Sequence, residues 1–175
     1  MLHLASNGFK EVSRSLCAIA YQHVDMVKYK SMRVYLDNCC YNRPFDEQAQ
    51  LRVRIETEAK LHIQALMRTG VVEYAWSKVL DYEIGQSPYF DQAEEIAPWA
   101  DWAAVYVDMD DSIIARGAEI MQYGVKRMDA LHLASAEAAG CDWFLTTDKG
   151  ILRRIAVVGK MRIANPVDFE IEEES

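Results

Sequence analysis

The sequence predicts a single α/β domain: a central, mostly parallel sheet with helices on both faces. Three observations point to it. Short β-prone runs alternate with longer helical stretches along the chain, the pattern that builds parallel sheets through crossover helices. Two of those runs stop abruptly at an acid followed by turn-formers, Asp37 and Asp148. The 175 residues, 51% hydrophobic and 26% charged, suffice for one buried core without disulfides.

Composition also excludes some functions. Cys17, Cys39, Cys40 and Cys141 show neither CxxC spacing nor a nearby zinc-finger histidine, so they read as reduced thiols of a cytoplasmic protein. No apolar run approaches the roughly 20 residues of a membrane span. A net charge of -8 argues against a broad basic surface for nucleic acid. It does not exclude a nuclease, because an acidic cluster that binds cations is itself a source of negative charge.

Taken in order, residues 1–31 read as an N-terminal extension, either a peripheral amphipathic helix or a leader. The apolar patch Leu16 to Tyr21 is too short for a signal peptide, and Gln22 and His23 interrupt it. Met32 stands just before the first convincing strand and is a candidate translation start. The domain proper is expected over 32–168, with an acidic, solvated tail at 169–175. The first strand covers 33–36. Asn42-Arg43-Pro44 turns the chain, Asp46 is the expected N-cap, and a helix runs from Glu47 to Thr69. Its apolar side is expected to be Leu51, Ile55, Ala59, Leu61, Leu66 and Met67. Gly70 stops it. Val71 to Trp76 is a second strand, and Ser77 caps a short helix holding Asp81 and Glu83.

Residues 88–104 look helical, with Tyr89, Phe90 and Trp99 read as packing groups. Val105 to Val107 is a brief strand. Asp110 or Asp111 opens a helix to Tyr123, ended by Gly124. Lys126 to Ala139 is an apolar, alanine-rich helix starting near Asp129. Trp143 to Thr146 is a buried strand leading to Asp148, a helix covers 151–155, and Met161 to Ala164 is the last strand.

In a parallel sheet all strand C-termini lie on one side, so Asp37 and Asp148 are expected to be neighbours despite their separation in sequence. Asp129 sits in the first turn of its helix, where the dipole favours a carboxylate. Glu83 follows the second strand, and its helix must lean over the same crevice. Clustered carboxylates raise one another's pKa unless a cation holds them. Oxygen ligands without Cys or His suit Mg²⁺ or Mn²⁺, and such ions serve phosphodiester hydrolysis. Each acid taken singly is equally well explained as a cap or turn residue; the case rests on the set.

Three motifs carry a family resemblance: Leu36-Asp37-Asn38-Cys39 with Asn42-Arg43-Pro44-Phe45-Asp46, Asp129-Ala130-Leu131-His132-Leu133-Ala134, and Leu145-Thr146-Thr147-Asp148-Lys149-Gly150. Together they resemble a PIN domain, of the small prokaryotic kind that includes VapC-like toxin ribonucleases. The resemblance implies a three-layer α/β/α fold and a Mg²⁺- or Mn²⁺-dependent endoribonuclease. It also implies an RNA substrate, an antitoxin partner and a homodimer. Its first, third and fourth acids fall on Asp37, Asp129 and Asp148. The second is usually a Glu six residues after a helix-opening Ser, as in Ser77 to Glu83; Asp81 is the competitor. Asn38 departs from the family's usual Ser or Thr, and Leu80 stands where Thr is common.

Thr147 is read as a group that orients water or a ligand, or as a turn hydroxyl. Cys39 and Cys40 read as core packing, since no His is placed as their base. His132, one turn from Asp129, could face the site but reads better as a hydrogen-bonded helix histidine. Arg43 and Lys149 flank the crevice as phosphate contacts or as solvated loop charges, and Arg127, Arg153 and Arg154 extend the same alternative. A non-catalytic PIN-like module binding RNA or protein is the rival function. A phosphatase with an Asp nucleophile wants a second Asp where Cys39 stands.

Overall fold

Arg33–Leu36 forms β1, and every side chain from Val34 to Leu36 is fully buried, as expected of a strand covered on both faces. The computed structural model describes residues 31–171, so the expectations for the N-terminal extension and for the end of the acidic tail lie outside the described residues. The other strands are β2 (Glu73–Ser77), β3 (Val105–Val107), β4 (Trp143–Leu145), β5 (Val157–Val158) and β6 (Met161–Ala164). The sheet order is β3-β2-β1-β4-β6-β5. All pairings are parallel except β5 with β6, so the expected mostly parallel sheet is present. Tyr35 pairs in register with Ala75 on one side and Phe144 on the other. The sequence reading missed β5, whose two residues carry no period to detect.

Seven helices accompany the strands among the described residues: α1 (Asn38–Asn42), α2 (Leu51–Thr69), α3 (Lys78–Gly85), α4 (Phe90–Ile96), α5 (Asp111–Ile120), α6 (Arg127–Ala138) and α7 (Lys149–Leu152). Helix α6 packs against α5, α3 and β2, while α2 packs against the 3₁₀ turns Arg43–Phe45 and Pro166–Asp168. The result is a three-layer α/β/α arrangement. No helix among the described residues is long and apolar enough to cross a membrane.

Two expectations about α2 are corrected. Its N-cap is Gln50, not Asp46. The Gln48 amide donates to the carbonyls of Arg43, Pro44 and Asp46, and Asp46 is paired with Arg43 at 2.8 Å; these bonds hold the loop out of helical geometry. The buried face is also not the most apolar one. It runs through Val53, Glu56, Thr57, Lys60, Ile63, Gln64 and Met67, while Leu51, Ile55 and Leu61 are exposed. Polar bonds decide the orientation. Buried Glu56 accepts from Arg52 Nε and Asn165 Nδ2, both at 2.8 Å, and faces Arg43 Nε at 3.2 Å. This also turns Arg43 from the crevice into a structural clamp. Gly70 ends α2 at φ 74°, the left-handed conformation glycine adopts without a Cβ penalty.

Residues 88–104 divide into α4 and the 3₁₀ turn Ala97–Trp102, with Pro98 in the first turn of the second piece. Of the three aromatics there, Trp99 packs edge-on against Tyr74. Tyr89 and Phe90 are 63% and 76% exposed, so the packing expectation fails for both.

Candidate active site

The crevice lies at the C-terminal edge of β1, β2 and β4, where the turns into α1, α3 and α7 diverge. Parallel pairing sets the geometry. The Asp37 amide donates to the Leu145 carbonyl at 2.9 Å, which brings the end of β1 beside the end of β4. Asp37 is buried, and its side chain does not cap α1. Instead Oδ2 accepts two hydrogen bonds, from Thr146 Oγ1 at 2.6 Å and from Cys39 Sγ at 3.1 Å. Among the described residues Oδ1 has no such donor, so it is the oxygen left to take a cation.

Thr146 does more than touch Asp37. Its Oγ1 also accepts from the Asp148 amide at 3.0 Å, so one hydroxyl joins two of the predicted acids. Thr147, the hydroxyl singled out from the sequence, is buried with Oγ1 unpartnered; the contact to Asp37 belongs to its neighbour. Cys40 is core, donating to the Leu145 carbonyl at 3.2 Å. Cys39 is not, because its half-buried thiol lies against Asp37, Thr146 and the Thr147 amide.

Ser77 ends β2 and caps α3, accepting from the Leu80 amide at 3.3 Å. That fixes where α3 begins and which of its acids faces the crevice. Residues two apart on a helix point to nearly opposite sides. Asp81 accepts from Trp76 Nε1 at 2.8 Å and from the Tyr106 hydroxyl, away from Asp37. Glu83 turns inward, and one ligand atom each from Asp37, Glu83 and His132 lie within 4.8 Å of one another. Burial pushes the Glu83 carboxyl up. The hydrogen bonds from His132 and Asn38 work against it, and the Glu83 carboxyl lies below its ordinary value. Asn38 thus faces Glu83, while its own Oδ1 accepts from Asn42 at 3.1 Å.

Asp129 is half-buried in the first turn of α6. Burial first, then the negative charges of Asp37 and Asp148, raise its carboxyl above the ordinary range, against the pull of Lys126. Asp148 caps α7 by accepting from the Gly150 amide. Neither acid joins the tight group of Asp37, Glu83 and His132; both surround it within electrostatic reach. The mutual repulsion is the condition a divalent cation relieves, and the four carboxylates are oxygen donors of the kind hard divalent cations take.

For His132 the two alternatives open in the sequence both hold. It is indeed a hydrogen-bonded helix histidine, but it also faces the site, with Nε2 at 3.0 Å from Glu83 Oε2 and Nδ1 at 2.8 Å from the Tyr35 hydroxyl. The signals were there: His132 lies one turn after Asp129, on the same helix face, and Tyr35 shares a strand face with Asp37.

The chain matches the PIN domain family model over residues 48–158 and belongs to that family. Glu83, Asp129 and Asp148 lie within the matched segment, and Asp37 precedes it. No curated protein matches. Among solved structures the chain is similar to VapBC2 from Rickettsia felis, in a crystal structure with a DNA fragment from their promoter. The identity is 14%, over 77% of this chain and 98% of that chain, with a TM-score of 0.48.

Proposed function

We propose that this chain is a Mg²⁺- or Mn²⁺-dependent endoribonuclease, with Asp37, Glu83, Asp129 and Asp148 as its catalytic acids, carried by a domain of residues 32–168. The observation that carries the reading is the meeting of Asp37 and Glu83, from two different strand ends, within 4.8 Å, in a field that also raises Asp129. Asp37 would offer Oδ1, and Glu83 the lone pairs not engaged by His132 and Asn38. Asp129 and Asp148 complete the negative field directly or through water. When bound, the ion supplies the Lewis acidity that phosphodiester hydrolysis requires.

The chain's own groups do the rest. Thr146 and Cys39 hold Asp37 in one rotamer by bonding its inner oxygen. Exposed Lys126 and Lys149 flank Asp129 and Asp148 and offer positive charge to a phosphate backbone. In keeping with the VapC-like character of the motifs, the partners of this reading are an RNA substrate, an inhibitory antitoxin and a second copy of the chain.

The test is cleavage of varied RNAs with Mn²⁺ by the wild type and by Asp37→Asn, alongside Mn²⁺ titration by calorimetry. Cutting by the wild type and at least about a hundredfold less by the variant is expected. Equal activity in both, or none in either, ends the reading. RNA binding without cutting and without Mn²⁺ uptake would identify a non-catalytic module instead.

A further inference from the structure

Glu83 reaches the crevice from a helix of only eight residues, so its placement depends on what stands behind it. A file of buried polar groups does. The Leu80 amide donates to Ser77 Oγ at 3.3 Å, and Ser77 Oγ lies 2.6 Å from the Tyr35 hydroxyl. Tyr35 is 2.8 Å from His132 Nδ1, and His132 Nε2 is 3.0 Å from Glu83 Oε2. Ser77, Tyr35 and His132 are all shut off from solvent, so their hydrogens must be satisfied within the file.

Counting hydrogens fixes the direction. Ser77 accepts from Leu80, and among the described residues its own hydrogen has only the Tyr35 oxygen within reach. Tyr35, receiving that hydrogen, has its own left for His132 Nδ1. Nδ1 must then be bare, and the ring proton sits on Nε2, donated to Glu83. The opposite order fails. A proton on Nδ1 would be donated to Tyr35, and either the Tyr35 or the Ser77 hydrogen would be stranded in the core. Burial also holds the Tyr35 hydroxyl well above its ordinary pKa, keeping its hydrogen in place.

We propose that Ser77, Tyr35 and His132 form a one-directional hydrogen-bond relay that ends in the Nε2–H of a neutral His132 and fixes the Glu83 carboxylate for cation binding. His132 is then a positioning residue and not a ligand, because both of its ring nitrogens are engaged. The relay converts the cap of α3 into control of the acid two turns further on. Its functional consequence rests on the metal-site reading given above; its hydrogen order does not.

The experiment is ¹⁵N NMR of the histidine rings in the whole chain, metal-free and with Mg²⁺, combined with Mn²⁺ calorimetry on variants. The wild type should show His132 protonated on Nε2 alone, with that proton retained when Mg²⁺ is added. Tyr35→Phe, which removes only the hydroxyl, should leave the proton on Nε2, where Glu83 accepts it, and move the Nδ1 resonance downfield as that nitrogen loses its hydrogen-bond donor. His132→Leu should weaken Mn²⁺ binding about 10–100-fold, the usual effect of losing a group that orients a ligand. His132→Gln, which can still donate to Glu83, should restore most of it. An Nδ1–H ring or an imidazolium at neutral pH would overturn the relay, as would loss of the Nε2 proton on adding Mg²⁺. So would wild-type Mn²⁺ affinity in folded His132→Leu. If His132→Leu fails to fold, the ring spectra of the wild type and Tyr35→Phe decide alone. A wild type that takes up no Mn²⁺ sinks the metal reading, while its ring tautomer still judges the relay.

Discussion

Replacing Thr146 by Val removes one fully buried hydroxyl and leaves a side chain of nearly the same shape. The hydroxyl donates to the Asp37 carboxylate at 2.6 Å, accepts from the Asp148 amide at 3.0 Å and lies 3.2 Å from Cys39 Sγ, the weakest of the three contacts. A bond to an ionised group contributes roughly 1.5–3 kcal/mol, and a neutral one about 1 kcal/mol. Cys39 still donates to the same Asp37 oxygen, so the first contribution falls at the low end. The metal-free variant should lose about 2–3 kcal/mol, read by urea unfolding at neutral pH. In an Asp37→Ala background the bond to residue 37 is already gone, and the same change should cost only about 1 kcal/mol. A loss below about 0.5 kcal/mol, or equal losses in both backgrounds, would show that Thr146 does not tie the acids together.

Two further predictions concern charge. Asp129 has a raised pKa through burial and then through Asp37 and Asp148. Its folded form therefore holds a proton that the unfolded form releases, and stability falls as pH rises through that window. Asp129→Asn should accordingly raise the melting temperature of the metal-free protein at neutral pH, with the gain vanishing in acid; a gain equal at both pH values contradicts the repulsion. Lys60 is buried with the Tyr41 ring 5.8 Å from its ammonium, and burial pushes it from 10.5 down to about 8. The charged form thus opposes folding below pH 8, and the penalty fades as pH climbs towards 10.5. That gap corresponds to about 3 kcal/mol, offset in part by the ring contact. Lys60→Met should therefore stabilise the protein by about 2 kcal/mol at pH 7 and by clearly less at pH 9.5; denaturant midpoints at the two pH values measure it, and a pH-independent change would mean the ammonium reaches water.

Much was legible from local pattern. The apolar run ending at Asp37, the Ser77 cap and the glycine stops at Gly70 and Gly124 are short-range signals. They located β1, α3 and the helix ends because turn and cap chemistry is decided within a few residues. The parallel order followed from alternation, and with it came the side of the sheet on which the acids gather. The preference for Glu83 over Asp81 came from the family's Ser-to-Glu spacing; that the two acids face opposite sides of α3 is a matter of helix geometry.

What required the tertiary structure was every choice among chemically plausible partners. Whether Thr146 or Thr147 reaches Asp37 depends on the register of β4 against β1, which no local signal sets. The face that α2 buries was misread because Glu56 finds Arg43 and Asn165 outside its own helix, and those bonds outweigh the apolar count. Cys39 looked like packing, and His132 had two open roles, until β1, α3, β4 and α6 met. Sequence alone determined which groups exist and where the chain turns. Only the folded chain decided which oxygen each hydrogen serves, because that depends on distances between segments a hundred residues apart.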